Sequence, residues 1–228
     1  MSARLEARGV KRTLIDADNE VPLVRGVSFS VNAGEFVAIL GPSGCGKSSL
    51  LYLLGLLDRP TEGEVLLDGA HTSGLSADER TRLRLEKIGF VFQFHFLLPE
   101  FTAMENVALP MRRLARLSRV EAEARATLLL DALGLKGEGR KRPSQMSGGQ
   151  RQRVAIARSL ANDPVLILCD EPTGNLDSVN SEMVVRVFQR LAHEEGRAIV
   201  CVTHDDNVAA AADRRIRMRD GEIVADER

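Results

Sequence analysis

The run Gly41-Pro42-Ser43-Gly44-Cys45-Gly46-Lys47-Ser48 has the spacing G-x-x-x-x-G-K-S, that of a loop that wraps the phosphates of a nucleoside triphosphate. Its glycines allow backbone N–H groups to turn inward at a helix N-terminus, where unpaired donors and the helix dipole favour phosphate oxygens. Lys47 is placed to reach the β- and γ-phosphates, the Ser48 hydroxyl to take a Mg²⁺ coordination position, and Ser49 to complete the phosphate-binding set. A nucleotide is therefore the first ligand to expect.

Two further stretches carry chemistry. Val165 to Cys169 is a continuous apolar run ending in Asp170-Glu171, the way a buried parallel strand delivers carboxylates to the ligand end of a sheet. Neighbouring residues at a strand end point to opposite sides. Asp170 can then hold Mg²⁺ through water, while Glu171 accepts a proton from an attacking water. Ser147-Gly148-Gly149-Gln150 precedes the helix-forming run Arg151 to Arg158 and offers a second set of N–H groups at a helix start. One compact domain does not hold a single nucleotide at two such ends, so the economical reading is a dimer closing on the nucleotide.

The elements that must position these residues can be read along the chain. Glu35 to Leu40 is a short apolar run suited to a buried strand, and leucines crowd Ser48 to Leu57, giving strand, loop and helix in the order the phosphate loop requires. Residues 4 to 40 read as β-rich, with a turn at Asn32-Ala33-Gly34. Glu64 to Leu67, a turn at Asp68-Gly69 and Ile88 to Phe92 continue the strand pattern. From Thr102 to Leu133 the periodicity is helical, and Thr102-x-x-Glu105 and Ser118-x-x-Glu121 are capping boxes that mark two helix starts before a stop at Gly134. Alternation then returns with a helix to Leu160, strand Val165 to Cys169, helix Ser178 to Glu195, strand Ala198 to Val202, helix Asp205 to Ala212 and a hairpin turning at Asp220-Gly221. Strands alternating with helices predict an α/β fold with a mostly parallel sheet, interrupted by a helical insertion near residues 95 to 155.

Composition narrows the classes. At 228 residues and 44% hydrophobic the chain can bury a full core, and its net charge of -1 provides no basic field for nucleic acid. The apolar stretches fall far short of the ~20 residues needed to span a bilayer. The start of the sequence, with Arg4, Glu6 and Arg8, lacks the apolar run of a signal peptide, which predicts a cytosolic product. Cys45, Cys169 and Cys201 are odd in number and lack C-x-x-C spacing, consistent with reduced thiols.

Taken together, the phosphate loop, Gln93 after a strand, Met146-Ser-Gly-Gly-Gln150, Asp170-Glu171, Gly174-Asn-Leu-Asp177 and His204 after the strand Ala198 to Val202 resemble, in kind and order, the motifs of ABC-type ATPases. The resemblance implies a P-loop NTPase core with a parallel sheet and an N-terminal antiparallel β subdomain (residues 1–94 and 156–228), plus a helical subdomain carrying the signature loop (residues 95–155). It implies ATP and Mg²⁺ as ligands, with two ATPs sandwiched between the phosphate loop of one copy and the signature loop of the other. It also implies Gln93 as a sensor of Mg²⁺ and attacking water, Asp177 as a cross-dimer contact and His204 as a γ-phosphate contact. His71, His95 and His193 match no such position and are expected at the surface or in packing.

Two departures stand out: Met146 replaces the family's leucine, a volume-conserving change, and Thr13 stands where the family's adenine-stacking aromatic is expected. Loss of stacking predicts weaker base discrimination, with Arg12 or Arg8 as substitutes. Phe92 to Pro110 and Asp170 to Asp177 are most similar to ATPase subunits of lipoprotein-releasing transporters, and next to the ATPase part of MacB-type exporters. That resemblance implies a peripheral protein on the cytoplasmic face of the cell membrane, serving a separate integral-membrane partner. Phe94, Phe96, Leu97, Leu98 and Phe101 form its candidate docking cluster, or else the core of the helical insertion. Arg112, Arg113, Arg116 and Arg119 follow, as a solvated helix face or one turned to anionic lipid. A non-transport ABC ATPase regulating a cell-division membrane protein shares these features, whereas soluble DNA-repair or translation factors fit the balanced charge poorly.

Overall fold

The apolar runs pair into two sheets. A computed structural model describes residues 3–16 and 19–228. In chain order the elements are β1 (Ala3–Asp16), β2 (Asn19–Asn32), β3 (Phe36–Leu40), α1 (Lys47–Leu54), β4 (Glu62–Leu67), β5 (Ala70–His71), α2 (Ala77–Lys87) and β6 (Ile88–Phe92). Then follow α3 (Ala103–Leu114), α4 (Arg119–Ala132), α5 (Gly148–Ser159), β7 (Leu166–Asp170), α6 (Ser178–His193), β8 (Ala198–Val202), α7 (Asp206–Ala211), β9 (Arg214–Arg219) and β10 (Glu222–Glu227).

The larger sheet has strand order β10-β9-β3-β8-β7-β6 and is parallel except for the edge hairpin β9–β10. Its central strands are almost wholly buried, which explains why they read as unbroken Val/Ile/Leu/Cys runs rather than alternating ones. The smaller sheet, β2-β1-β4-β5, is antiparallel and shares one face of the large sheet with α1, whereas α3 to α7 pack on the other. Leu5, Val10, Val27 and Val31 share one cluster with Leu50, Leu54, Val37 and Val200. On the other face Val107, Met111, Ala126, Leu130 and Ile156 from α3 to α5 join Phe36, Ile167, Cys169, Cys201 and Phe188.

Local signals explain most boundaries. Thr102 and Ser118 each close a capping box with Glu105 and Glu121, as the sequence predicts, so α3 and α4 start one residue after them. The hairpin turn at Asp220-Gly221 has both residues at positive φ, 50° and 83°, as a two-residue hairpin turn requires. Helix α1 stops at Leu54 rather than continuing to Leu57, because Leu56 takes φ 56° and Gly55 lies against the Phe90 ring. Helix α2 lies in a stretch the sequence reading leaves unassigned. Its charged sequence shows no apolar stripe, although Ser76-x-x-Glu79 is a capping box that could have revealed it.

Candidate functional site

The carboxyl ends of β3, β6, β7 and β8 converge at one edge of the large sheet. Register places Phe92 beside Asp170 and Asp170 beside Val202, so Gln93, Glu171, Thr203 and His204 leave adjacent strands at the same level. Such a crevice is where α/β sheets bind ligands. Here it is a cleft of ≈ 580 Å³ lined by Ser43, Gly44, Gly46, Lys47, Ser48, Ser49, Gln93, Asp170 and Glu171, among others.

The phosphate loop is held in shape from outside. A Cβ on Gly41 would lie 2.3 Å from the Met218 carbonyl oxygen, and one on Gly46 would lie 2.2 Å from that of Leu23. Gly41 and Gly46 also have φ 155° and 99°, so these two positions demand glycine on both counts. Gly221 N–H donates to the Cys45 carbonyl at 3.0 Å, fastening the β9–β10 turn to the loop. Pro42 and Ser43 stay exposed on the loop's outer turn, while Cys45 is buried behind it. Lys47 Nζ donates to the carbonyls of Gly41 (2.8 Å) and Pro42 (2.9 Å), lying across its own loop.

Ser48 Oγ donates to Asp170 Oδ1 at 3.3 Å. Burial pushes the Asp170 carboxyl above its usual range, the Ser48 hydrogen bond opposes this, and the neighbouring charge of Glu171 adds to it. A carboxylate so placed gains from a cation. The described residues contain no cluster of three or more His, Cys, Asp or Glu that could enclose a metal. One hydroxyl and one carboxylate, with water and phosphate completing the shell, is the donor set that suits Mg²⁺.

Glu171 lies just beyond the end of β7 and lines the same cleft as Asp170. Its Oε1 accepts from His204 Nδ1 at 2.8 Å, and its Oε2 accepts from Thr203 Oγ1 and His204 N–H, each at 3.3 Å. Glu171 also sits at φ 47°, a conformation disfavoured for a residue with a side chain, and its N–H donates to the Val202 carbonyl at 2.9 Å. Gln93 Nε2 donates to Asn175 Oδ1 at 3.5 Å and fills the space above Gly174. His95 and Phe96, just beyond it, are both left-handed at φ 58° and 47°. Strain of this kind collects where segments switch.

Ser147, Gly148, Gly149, Gln150 and Asp177 do not line this cleft. Ser147 and Gln150 close a reciprocal capping box: Gln150 N–H donates to Ser147 Oγ at 3.2 Å, and Ser147 N–H donates to Gln150 Oε1 at 2.9 Å. The donors available to a ligand at this helix start are therefore the N–H groups of Gly148 and Gly149, which a helix cannot satisfy internally. Asp177 caps α6 by accepting from Asn180 N–H at 2.8 Å, and Asn180 in turn packs on Gly149, tying signature loop and Asp177 together on one surface.

Other expectations sort cleanly. Phe94 and Phe96 are 68% and 62% exposed and Leu98 is 40% exposed, so these three are surface, whereas Leu97 packs on the core and Phe101 is half-buried. Met146 is buried. All three cysteines are free and buried. His71 pairs with Glu64 and His193 with Asp213, while His95 is half-buried, with burial and then Arg151 and Arg158 holding its pKa down. Arg116 and Arg119 pair with Glu86 and Glu123. Arg12 pairs with Asp58 at 2.6 Å and Arg8 with Glu6 at 2.7 Å.

A phosphate loop strapped to a parallel sheet, with a hydroxyl–carboxylate pair and a second carboxylate at its mouth, defines a P-loop ATPase. The family model described as ABC transporter matches residues 24–174. The chain is 53% identical over 204 residues to the lipoprotein-releasing system ATP-binding protein LolD 1 of Chlorobium chlorochromatii, covering 90% of this chain and 83% of that one. It is 49% identical to the macrolide export ATP-binding/permease protein MacB of Syntrophobacter fumaroxidans, over 96% of this chain and 31% of that longer protein. A dimeric, post-hydrolysis structure of the ATP-binding cassette MJ0796 bound to ADP and Pi superposes with a TM-score of 0.91 at 43% identity, covering 98% of both chains. The chain belongs to the ABC transporter ATPases: it binds ATP and hydrolyses it.

Proposed function

We propose that this chain powers a lipoprotein-releasing ABC system as a pair of copies bound to a separate integral-membrane partner. The observation that carries the dimer is the division of the site: one copy gathers the phosphate loop, Gln93, Asp170 and Glu171 in a cleft but leaves Gly148, Gly149 and Asp177 on another surface. Head-to-tail pairing brings the second set over the first. The lipoprotein assignment is supported by the identity to LolD 1. No helix among the described residues is long and apolar enough to cross a membrane, so the reading places the chain peripherally on the cytoplasmic face.

In this reading the loop N–H groups and Lys47 hold the β- and γ-phosphates and neutralise charge developing during transfer. Ser48 and Asp170, with Gln93 nearby, would hold Mg²⁺, which when bound offsets phosphate charge. Glu171, oriented by Thr203 and His204, takes the proton from attacking water, and His204 moves from the Glu171 carboxylate towards the γ-phosphate as the dimer closes. Residues 95–155 act as a helical body turning against residues 1–94 and 156–228, with the segment after Gln93 as the joint. The exposed Phe94, Phe96 and Leu98 meet the membrane partner there.

Reconstitution with the membrane partner in lipoprotein-loaded proteoliposomes tests the assignment: ATP is expected to release lipoprotein to a soluble acceptor. The identity to MacB favours a second reading, export. ATP-driven movement of a macrolide without lipoprotein release would establish that one instead.

A further inference from the structure

Charge is unevenly shared along this chain. Residues 95–155 hold eleven Lys and Arg against six Asp and Glu, a net charge of +5, which leaves the other residues at -6 within the total of -1. The excess is densest at the corner where α3 turns into α4. Residues 109–120 include four arginines, Arg112, Arg113, Arg116 and Arg119, and no Asp or Glu. Ala115, left-handed at φ 58°, ends α3 and turns the chain there, and every residue from Ala115 to Val120 is exposed.

Little of this charge is neutralised. Arg112 and Arg113 are exposed and form no ion pair among the described residues. They complement the C-terminus of α3, but a helix end offers about half a charge against their two. Arg116 has to share Glu86 with Arg82. Arg119 pairs with Glu123 while itself 71% exposed, a contact that solvent leaves weak and exchangeable. Glu121 is engaged in the capping box of α4, accepting from the Ser118 N–H at 2.8 Å. The basic surface continues along the start of α3, where the Ala103 and Met104 N–H groups donate to the Lys141 and Gly139 carbonyls. Hydrogen bonds from Thr102, and then the charges of Arg119 and Arg142, hold the Glu105 carboxyl there below its usual range.

Two apolar side chains stand among these arginines: Val120 is 76% exposed and Leu117 37%. No residue of this corner lines the nucleotide cleft. Guanidiniums around projecting apolar groups suit the headgroup layer of a membrane, where phosphates take the charge and the apolar tips reach the acyl boundary. We infer that the α3–α4 corner rests on anionic phospholipid, with Arg112, Arg116 and Arg119 on headgroup phosphates and Leu117 and Val120 between them. Such seating deepens, and depends on, the peripheral placement proposed above. Nucleic acid, another polyanion, fits less well, because residues 109–120 contain no aromatic on which a base could stack and a phosphate backbone makes no use of Leu117 and Val120. Held in this way, the helical body stays at the membrane while the rest of the chain turns against it.

The three native cysteines are buried, so Val120→Cys supplies a single exposed thiol for labelling. Val224→Cys, at a site 51% exposed on β10, is the matched control. Each carries a fluorophore in the assembled complex of this chain and its membrane partner, reconstituted in phosphatidylcholine with or without phosphatidylglycerol, and the quencher is a phospholipid with a nitroxide on its headgroup. Quenching at position 120 is expected to be several times that at 224, to require phosphatidylglycerol and to fall at high salt. Equal quenching at the two positions, or quenching indifferent to phosphatidylglycerol, overturns the lipid contact. A blue-shifted probe at 120 without quenching also overturns it, in favour of contact with protein. A second measurement needs no partner. Binding of the isolated chain to phosphatidylglycerol vesicles at low salt should weaken about 25-fold when Arg112→Gln and Arg119→Gln are combined, roughly fivefold for each basic side chain at an anionic surface, with the isolated chain's ATPase unchanged. Equal binding by the variant and the parental chain counts against this corner. Failure to co-purify with any integral-membrane chain, alongside arginine-dependent vesicle binding, would remove the docking reading and leave the lipid contact standing.

Discussion

In the proposed mechanism Glu171 carries the heaviest chemical demand of any side chain. It has a left-handed backbone, and its carboxylate accepts from the Thr203 hydroxyl and from the His204 main chain and ring, an arrangement that orients the group a base needs to be. Glu171→Gln keeps the shape and removes the proton acceptor. Its steady-state ATPase should fall by about 10²–10⁴-fold while ATP still binds and a closed dimer accumulates, as read by size-exclusion chromatography; near-normal turnover would take Glu171 out of the base role. Thr13 makes the second residue-scale case. With Thr13 in place of an aromatic, the base lacks a ring to stack on at this position, a loss of about 1–3 kcal/mol. GTP should displace a fluorescent ATP analogue about as well as ATP does, and Thr13→Tyr should tighten binding about 5-fold or more; a strong preference for ATP in the parental chain would contradict this.

At the scale of elements, the proposed coupling runs through the segment from Gln93 to Phe101. Asn106, fully buried, accepts from the Leu98 N–H and donates to the carbonyls of Leu98, Phe101 and Thr102, pinning the segment's far end to α3. Its near end carries the exposed Phe94 and Phe96. Changing Phe96 and Leu98 together to Ser should leave the melting temperature and nucleotide affinity of the isolated chain close to parental while abolishing stimulation by the membrane partner. Unfolding would instead show that these side chains support the core. The sequence revealed much of this level, because capping boxes and Gly-rich turns act through neighbours in the chain. It did not reveal that Phe94 and Phe96 point outward while Leu97 points inward, since the two left-handed residues His95 and Phe96 break any regular period. Nor did the charged α2 show itself, since it carries no apolar stripe.

At the scale of the molecule, the site is split across two surfaces, and the split can be tested by complementation. Lys47→Ala disables one copy's phosphate loop. Gly148→Asp, where a Cβ meets nothing nearer than 3.8 Å, sets a negative charge at the helix start that should meet phosphate. Each variant alone should be inactive. Mixed, random pairing gives hybrid dimers with one of two sites intact, restoring roughly a quarter of parental ATPase. If every site were complete within one copy, mixing would restore nothing. The phosphate loop and the two carboxylates were legible without a structure because each is a local motif. The exclusion of Gly148 and Asp177 from the cleft was not, since it depends on where α5 and α6 lie relative to β7.

The clasp between Gly221 and Cys45 ties the anion-binding loop to a turn 176 residues later (221 minus 45). During translation at about 5–20 residues per second, roughly 9–35 s separate the two. Until residue 221 has left the ribosome, the nascent loop lacks its outer brace. A nascent chain that ends before the hairpin is therefore expected to hold nucleotide more weakly than the finished one.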